Sequence, residues 1–265
     1  MRDAFVNTLK ELARKDERVF LVTADMGFSV FESFREEFPD RFLNTGIAEQ
    51  NTIGIAAGLA MSGKIVYVYS IIPFVTMRCF EQVRLDLAYN NANVKLVGVG
   101  AGFTYGPMGS SHHAIEDISI MRSIPNMTVL CPGDPFETEE LIKRSYEKFG
   151  PVYIRLGRNG EPIIHPNKNK IEIGDIINIT KGDDLILITT SNTLELAKSW
   201  VDEWNQEGIH VNLVSMPTIK PINQIPIKKL IDRNIPIITL EEHSIIGGLG
   251  STISEIIAES GKSVK

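Results

Sequence analysis

The sequence predicts an α/β protein made of two doubly wound domains, and two observations carry this prediction. Short apolar runs rich in Val, Ile and Leu recur along the 265 residues, and patterns typical of amphipathic helices separate most of them. Such alternation is typical of parallel sheets whose two faces are covered by helices. A polar stretch rich in Pro, Asn and Lys then interrupts the pattern after about 160 residues, which indicates two units.

The individual elements follow from these runs in chain order. The predicted strands span residues 19–24, 65–71, 94–100, 127–131, 152–156, 185–190, 211–215 and 237–240. The predicted helices span residues 3–15, 48–62, 75–89, 135–148, 193–207 and 224–233, and a further apolar helix follows Gly250. In each case the run length and the apolar spacing decide between strand and helix.

Residues 161–170 are predicted to link the two domains. This stretch, EPIIHPNKNK, has two prolines, two asparagines and two lysines and lacks apolar periodicity. A first domain of residues 1–160 therefore precedes the linker, and a second domain of residues 171–265 follows it. The second domain has its own strand–helix–strand–helix–strand pattern.

The composition excludes several classes of partner. Lys and Arg number 27 against 33 Asp and Glu, a net charge of −6 without a basic cluster, which argues against nucleic acid. The longest apolar stretches fall short of the roughly 20 residues of a membrane span. The charged N-terminal segment does not resemble a signal peptide. Two cysteines, Cys79 and Cys131, form neither a disulfide framework nor a zinc site by themselves, so we expect a cytoplasmic location.

Two short segments hold the residues that could do chemistry. Glu49 lies in GIAEQ, residues 46–50, at the start of a predicted helix, where a carboxylate either only complements the helix dipole or serves a reaction. His112 and His113 close the segment GSSHH, residues 109–113, on a Gly-rich loop. Paired imidazoles on a loop can be solvated, can bind a metal or can supply acid–base chemistry near neutral pH.

Taken together, three blocks make the chain similar to the C-terminal two-thirds of transketolase, the thiamine-diphosphate enzyme of two-carbon transfer between ketoses and aldoses. The blocks are GIAEQ with the following AAGLA, GSSHH through MRSIPNM, and LEEH at 240–243 with GGLG at 247–250. They occur more loosely in deoxyxylulose-phosphate synthase and in β subunits of 2-oxoacid dehydrogenases. The resemblance implies a thiamine-diphosphate pyrimidine-binding fold followed by a transketolase C-terminal-like domain, which at about 95 residues is shorter than is usual in the family.

The same resemblance implies which residues bind the cofactor. Glu49 matches the glutamate that hydrogen-bonds the aminopyrimidine ring, where a carboxyl can share a proton with a ring nitrogen in a dry pocket. Phe74 is the best match for the aromatic side chain that stacks on this ring, and Ile71 takes the place of a first aromatic residue. Tyr69 and Arg78 are expected to line the same pocket, whose walls need only be apolar.

At the substrate end, His112 matches the family histidine that faces the reacting substrate, with His113 beside it. Arg158, and Arg155 second to it, match a strand end where relatives bind phosphate, a task that suits the guanidinium fork. The alternative for both arginines is a surface ion pair. Met108 stands where sugar-transferring members have an aspartate, and a histidine that helps to bind donor sugar phosphate has no counterpart. These departures leave the donor and the acceptor open.

The chain lacks one half of the family's cofactor site. The motif that binds the diphosphate and its metal, Gly-Asp-Gly with a later Asn, is absent from the sequence. The resemblance therefore implies an N-terminal partner subunit that carries the diphosphate-binding domain and holds Mg or Ca, while this chain holds no metal. It also implies a heterotetramer of two such pairs.

Three functions stay open at this point. The first is thiamine-diphosphate-dependent transfer of a two-carbon ketol unit from a ketose or keto donor to an aldehyde, with Glu49 and His112 as the catalytic residues. The second is that of a β subunit of a 2-oxoacid dehydrogenase or of an enzyme like deoxyxylulose-phosphate synthase. The third is a non-catalytic scaffold or regulatory homologue.

Overall fold

The structure is a computed structural model that describes residues 1–158, 160–165 and 169–263. Its strands are β1 (Val19–Thr23), β2 (Phe42–Asn44), β3 (Ile65–Ile71), β4 (Val94–Val99), β5 (Thr128–Leu130), β6 (Val152–Leu156), β7 (Ile177–Asn178), β8 (Leu185–Thr189), β9 (Val211–Ser215), β10 (Thr218–Lys220) and β11 (Ile237–Leu240). Its α-helices are α1 (Arg2–Lys15), α2 (Glu32–Glu37), α3 (Glu49–Met61), α4 (Ile72–Thr76), α5 (Phe80–Gln82), α6 (Asp117–Ser123), α7 (Pro135–Glu147), α8 (Leu194–Gln206), α9 (Gln224–Ile231) and α10 (Leu249–Ser260).

The first sheet has seven strands in the order β10-β5-β6-β4-β3-β1-β2. Strands β1 to β6 run parallel, and β10 pairs antiparallel with β5 at the edge. Every residue of β3 is buried, as is typical of a parallel strand with helices on both faces. Val66 and Val68 face one apolar cluster while Tyr67 and Tyr69 face another, which follows from the two-residue period of a strand.

The second sheet has four strands in the order β11-β8-β9-β7, of which β7 alone runs antiparallel to its neighbour. Helix α8 covers it with a buried stripe of Leu194, Ala197 and Val201. Leu187 and Leu213, on β8 and β9, complete this cluster. The spacing of the three helical residues, three and then four apart, is that of one helix face.

All eight predicted strands are present, and each differs from its predicted bounds by at most one residue at an end. The predicted helix over 75–89 is wrong. The chain there forms α4, then α5, then a π-helical segment, Val83–Tyr89, and the break lies at Cys79, which leaves the helical region at φ −116° and ψ 27°. The elements α2, β2, α6, β7 and β10 were not among the predicted ranges, because they are too short to develop a periodic pattern.

The predicted linker is packed where it is described, and residues 166–168 lie outside the described residues. His165 is 8% exposed, and its Nε2 lies 2.7 Å from Oε1 of Glu137 on α7. Burial lowers the pKa of His165, but the hydrogen bond and the charge of Glu137 outweigh it, so the pKa is raised. Ser215, at the end of β9, donates to the same Oε1 at 2.5 Å. One carboxylate thus joins α7, the segment before residue 166 and the second sheet.

Within the described ranges, no helix is both long enough and apolar enough to cross a membrane. The longest, α1, has 14 residues and is amphipathic.

Candidate active site

The candidate site lies at the carboxyl edge of the first sheet, where ligands of open α/β sheets commonly bind. Three strands of the first sheet, β2, β3 and β4, send chain segments to this edge. The segment after β2 leads to Glu49, the segment after β3 carries Phe74 and Arg78, and the loop after β4 carries His112. Contacts between side chains join all three segments.

Glu49 is the first residue of α3 and is only 5% exposed. Two features make a buried carboxylate tolerable at this position. The positive end of the helix dipole favours an anion in the first turn. In addition, Nη1 of Arg78 donates to Oε1 of Glu49 at 2.9 Å. Glu49 is therefore a buried carboxyl group paired with a single arginine among the described residues.

Arg78 lies on an aromatic ring as well as on the carboxylate. The centre of its guanidinium is 4.0 Å from the centroid of the Phe74 ring, a cation–π contact. Gln50 holds the backbone in place, because its side-chain amide donates to the carbonyl oxygen of Arg78 at 3.1 Å. The side chain of Arg78 is nevertheless 46% exposed, so it can leave this position at modest cost.

Cys79 follows Arg78 directly in the chain and is buried. Burial, with a smaller contribution from the charge of Glu49, raises the pKa of its thiol to about 12. Its Sγ contacts the carbonyl oxygens of Phe74 and Val75 at 3.3 and 3.1 Å. A thiol held protonated in this way is a poor nucleophile.

His112 lies on the other side of Phe74. Its ring is edge-on to Phe74, with a distance of 5.1 Å between the ring centroids, and 6.2 Å from the ring of Tyr105. The Oγ of Ser111 lies 3.0 Å from Nδ1 of His112, whereas Nε2 has no hydrogen-bond partner among the described residues. One ring nitrogen is therefore held in place and the other is open to a ligand.

Arg158 extends the row of side chains. Its guanidinium centre lies 5.6 Å from the ring centroid of Tyr105, and its backbone N–H donates to Glu161 at 2.8 Å. Burial raises the pKa of the Tyr105 hydroxyl, and the charges of Arg158 and Arg2 oppose this shift. The continuous row at the sheet edge runs Glu49, Arg78, Phe74, His112, Tyr105, Arg158.

Tyr105 is the member of this row that was not predicted from the sequence. The sequence held one sign of a functional residue here, since Tyr105 directly precedes the Gly-Pro-Met-Gly turn. The side chains that Tyr105 contacts, however, come from different segments of the chain. It also packs under Gly100, whose φ is +93° and where a Cβ would lie 2.2 Å from the tyrosine ring. Gly100 therefore has to be glycine for the ring to reach His112.

His113 does not join this row. Its ring lies edge-on to Phe103 at 4.9 Å, and its Nε2 is 3.3 Å from the carbonyl oxygen of Gly106. Met108, at the tip of the same loop, is 59% exposed. The loop thus brings the ring of His112 against Phe74, whereas the ring of His113 contacts Phe103 and Gly106 of the loop itself.

Two residues expected to line the cofactor pocket belong to the apolar core. Tyr69 is 2% exposed, lies parallel to the ring of Phe5 at 6.0 Å and meets the edge of Phe31 at 4.7 Å. Ile71 is 4% exposed in the same cluster. Both side chains lie on the face of β3 that packs against α1, so the expectation that Tyr69 and Ile71 line the cofactor pocket is corrected.

Arg155 is also corrected, because it is 1% exposed and has no free donor for a phosphate. Its Nε donates to Asp117 at 2.9 Å, Nη1 to Ser191 and Asn192 at 2.9 and 3.4 Å, and Nη2 to the carbonyl oxygens of Ala114 and Glu242 at 2.9 and 3.0 Å. These five contacts use all five N–H groups of a guanidinium. Arg155 therefore holds parts of the chain together, whereas Arg158 remains exposed at the sheet edge.

No group of three or more His, Cys, Asp or Glu side chains that could hold a metal ion occurs in the described part of the chain. The LEEH segment has structural contacts instead. Glu241 accepts hydrogen bonds from the backbone N–H groups of Leu249 and Gly250, at 2.6 and 2.9 Å, and so caps the start of α10.

A parallel sheet whose carboxyl edge brings together a buried glutamate, an aromatic ring and a histidine is the arrangement that the resemblance implied for a pyrimidine-binding domain. Residues 1–161 match the family Transketolase, pyrimidine binding domain, and residues 174–264 match Transketolase, C-terminal domain. The chain belongs to the transketolase family. The predicted fold class is thereby confirmed, and membership implies the use of thiamine diphosphate.

Individual relatives are similar over almost the whole chain. A protein of Methanocaldococcus jannaschii named "Putative transketolase C-terminal section" is 42% identical over all of this chain and 84% of its own length. A protein of Phocaeicola vulgatus, named as a subunit of apulose-4-phosphate transketolase, is 38% identical over 98% of this chain and 84% of its own length. A solved structure titled "Split gene transketolase, inactive beta4 tetramer" has a TM-score of 0.90 at 36% identity, over 98% of this chain and 86% of that one.

Proposed function

We propose that this chain is the pyrimidine-binding subunit of a two-chain transketolase, which transfers a two-carbon ketol unit from a ketose or keto donor to an aldehyde acceptor. The observation that carries the proposal is the buried Glu49 carboxylate beside the Phe74 ring, with a planar cation bound to both. A carboxyl and an aromatic face are the two partners that the aminopyrimidine of thiamine diphosphate needs from this subunit.

The Arg78 guanidinium supports the fit, because it resembles the aminopyrimidine in the features that matter. It is flat, it donates hydrogen bonds, and it lies on Phe74 while paired with Glu49. A pyrimidine ring stacked on this face of Phe74 would replace it. We therefore infer that Arg78 moves aside when the cofactor enters, and that it covers two buried or apolar groups until then.

Within this proposal the chain's own residues have separate tasks. When bound, the cofactor supplies a carbon nucleophile. Glu49 holds a proton at the ring nitrogen of the aminopyrimidine, a role for which a carboxyl in a dry site is suited. His112, through its open Nε2, donates protons to and accepts them from the oxygens of the substrate. Arg158 binds an anionic group at the far end of the row.

The proposal includes a partner subunit that holds the diphosphate and its Mg or Ca ion. Support comes from relatives that are named as a subunit or a C-terminal section, and from a solved structure titled as split-gene and tetrameric. We propose a heterotetramer of two pairs. A cytoplasmic location is proposed because Cys79 and Cys131 are both unpaired thiols.

The test is to combine this chain with a candidate partner and to measure both cofactor binding by calorimetry and transfer from a ketose to an aldehyde. Glu49→Gln should lower transfer at least about a hundredfold, the lower range for loss of a positioned acid or base. Glu81→Gln is the matched control, because Glu81 is an exposed residue that pairs with Arg84 on the neighbouring helix. Full activity of Glu49→Gln would refute the assignment, and release of CO2 from a keto acid would favour the 2-oxoacid dehydrogenase or deoxyxylulose-phosphate synthase alternative.

A further inference from the structure

The loop that carries both histidines is closed at its base. The backbone N–H of Gly102 donates to the carbonyl oxygen of Ala114 at 3.1 Å, and the N–H of Ala114 donates back to Gly102 at 2.9 Å. Residues 102–115, which we name the histidine loop, therefore leave the sheet and return to the same point. His112 is two residues from Ala114, so its position depends on how this base is held.

The second half of the chain holds the base of the histidine loop. The Ser244 N–H donates to the carbonyl oxygen of Ile115 at 2.8 Å. Arg155 donates through Nη2 both to Ala114 and to the carbonyl oxygen of Glu242. The segment that follows β11 is thereby hydrogen-bonded to residues 114–115 of the loop base, directly through Ser244 and indirectly through the buried Arg155.

The Glu242 side chain fixes the other strand of the base. It lies so close to Gly102 that a Cβ on this glycine would be 2.0 Å from Oε2. Asn192, in the turn after β8, donates through Nδ2 to the same Oε2 at 2.6 Å and so holds the carboxylate in place. Asn192 also accepts a hydrogen bond from Arg155. It thereby connects Glu242, which lies against Gly102, with Arg155, which donates to Ala114.

We propose that Glu242, held by Asn192, is a positioning residue that sets the histidine loop and thereby the place of His112. The second domain then has a task in the reaction through its contacts with the base of the histidine loop. The activity part of this proposal rests on the proposed function, whereas the positioning part is a property of this chain alone.

The first test needs only the isolated chain, with Glu242→Ala, Glu242→Gln and Asn192→Ala as variants. Two quantities are measured by peptide mass spectrometry: amide hydrogen exchange over residues 102–115 and the rate at which diethyl pyrocarbonate modifies His112. Loss of a charged hydrogen bond should raise both rates by about tenfold in the two alanine variants. Glu242→Gln keeps an acceptor for Asn192 and should stay near the wild type.

Glu259→Ala is the control, since Glu259 is an exposed glutamate on α10 that is remote from the loop. It should leave both rates unchanged. If Glu242→Ala does not fold, Asn192→Ala removes the same hydrogen bond from the other side. Unchanged rates in folded Glu242→Ala and Asn192→Ala would overturn the proposal, and so would equal effects of Glu242→Gln and Glu242→Ala.

The second test uses the complex with the partner subunit. A displaced His112 should lower kcat by about ten- to a hundredfold, as small misplacements of reacting groups do, while the dissociation constant of thiamine diphosphate stays the same. An unchanged kcat in Glu242→Ala would overturn the catalytic part of the proposal. The wild-type complex could show no ketol transfer while the substitutions still raise the exchange and modification rates of the histidine loop. In that case the proposed function fails and the positioning role stands.

Discussion

Replacement of Arg155 by Met should destabilise the protein strongly, because Arg155 is an ionic centre cut off from water. The guanidinium is 1% exposed and makes five hydrogen bonds, one of them to the fully buried carboxylate of Asp117. In Arg155→Met that carboxylate keeps only the hydroxyl of Tyr153, at 2.6 Å, as a donor among the described residues. Breaking a buried ion pair on one side costs about 3–5 kcal/mol, against a total stability of about 5–15 kcal/mol.

A double-mutant cycle with Asp117→Asn isolates the charge. Asp117→Asn alone leaves Arg155 with a neutral acceptor and should cost about 2 kcal/mol. In the double variant no uncompensated anion remains, so its cost should not exceed that of Arg155→Met alone. The expected coupling between the two positions is therefore at least about 2 kcal/mol, well above the roughly 0.5 kcal/mol within which independent sites add.

The assay is urea unfolding followed by two signals. The only tryptophans, Trp200 and Trp204, both lie on α8, so their fluorescence reports on the second sheet, whereas far-ultraviolet circular dichroism reports on the whole chain. Arg155 is bonded to both halves, so both transitions should move. Arg14→Met, an exposed arginine paired with Glu37, is the control and should change little. Additive effects in the cycle, or a response no larger than that of the control, would refute the reasoning.

Three further outcomes are expected. Arg78→Ala uncovers Phe74 and frees Glu49 from its ion pair. A pair whose arginine is half exposed and a cation–π contact are each worth up to about 1 kcal/mol, so thiamine diphosphate should bind the complex about tenfold more tightly in calorimetry. Weaker binding would mean that Arg78 contacts the cofactor. Burial lowers the pKa of Lys95 to about 7 from its usual 10.5, so that between these pH values the unfolded chain binds a proton that the folded chain lacks. The free energy of unfolding should therefore rise with pH by at most about 1.4 kcal/mol per unit, and by less because three oxygens at 2.7 Å favour the ammonium. Urea midpoints at pH 7 and 9 measure this rise, which should be absent in Lys95→Met. Gly98→Ala places a Cβ 2.7 Å from Ile72 and should cost about 1–3 kcal/mol in urea unfolding; a cost below about 0.5 kcal/mol would contradict this packing.

The strands could be predicted well because their signal is local. A buried parallel strand is a short apolar run, and all eight such runs became strands. The helix over 75–89 failed for a related reason, since its apolar positions fit a continuous helix while the backbone turns at Cys79. That turn brings Arg78 back over Phe74, and nothing in the apolar spacing indicates it.

The site could be predicted only in part, because a strand position does not say which long-range partners a side chain finds. Glu49, Phe74 and His112, which the resemblance named, lie together at the carboxyl edge of the first sheet. Arg155 is followed within three residues by Arg158, yet only the first is buried. Its partners Asp117 and Glu242 are 38 and 87 residues away along the chain, so the sequence offers no local sign of the network.

The first sheet can be completed only after its edge strand β10, residues 218–220, has been synthesised. Thr218 pairs with Leu130 and Lys220 with Val129, so the outer edge of β5 receives its partner only after some ninety further residues have been made. Until then an apolar strand edge is open, and such edges pair readily with other chains. A fragment that ends near residue 160 would keep that edge permanently. Any separate production of the first domain should therefore include the 218–220 strand or block the edge of β5.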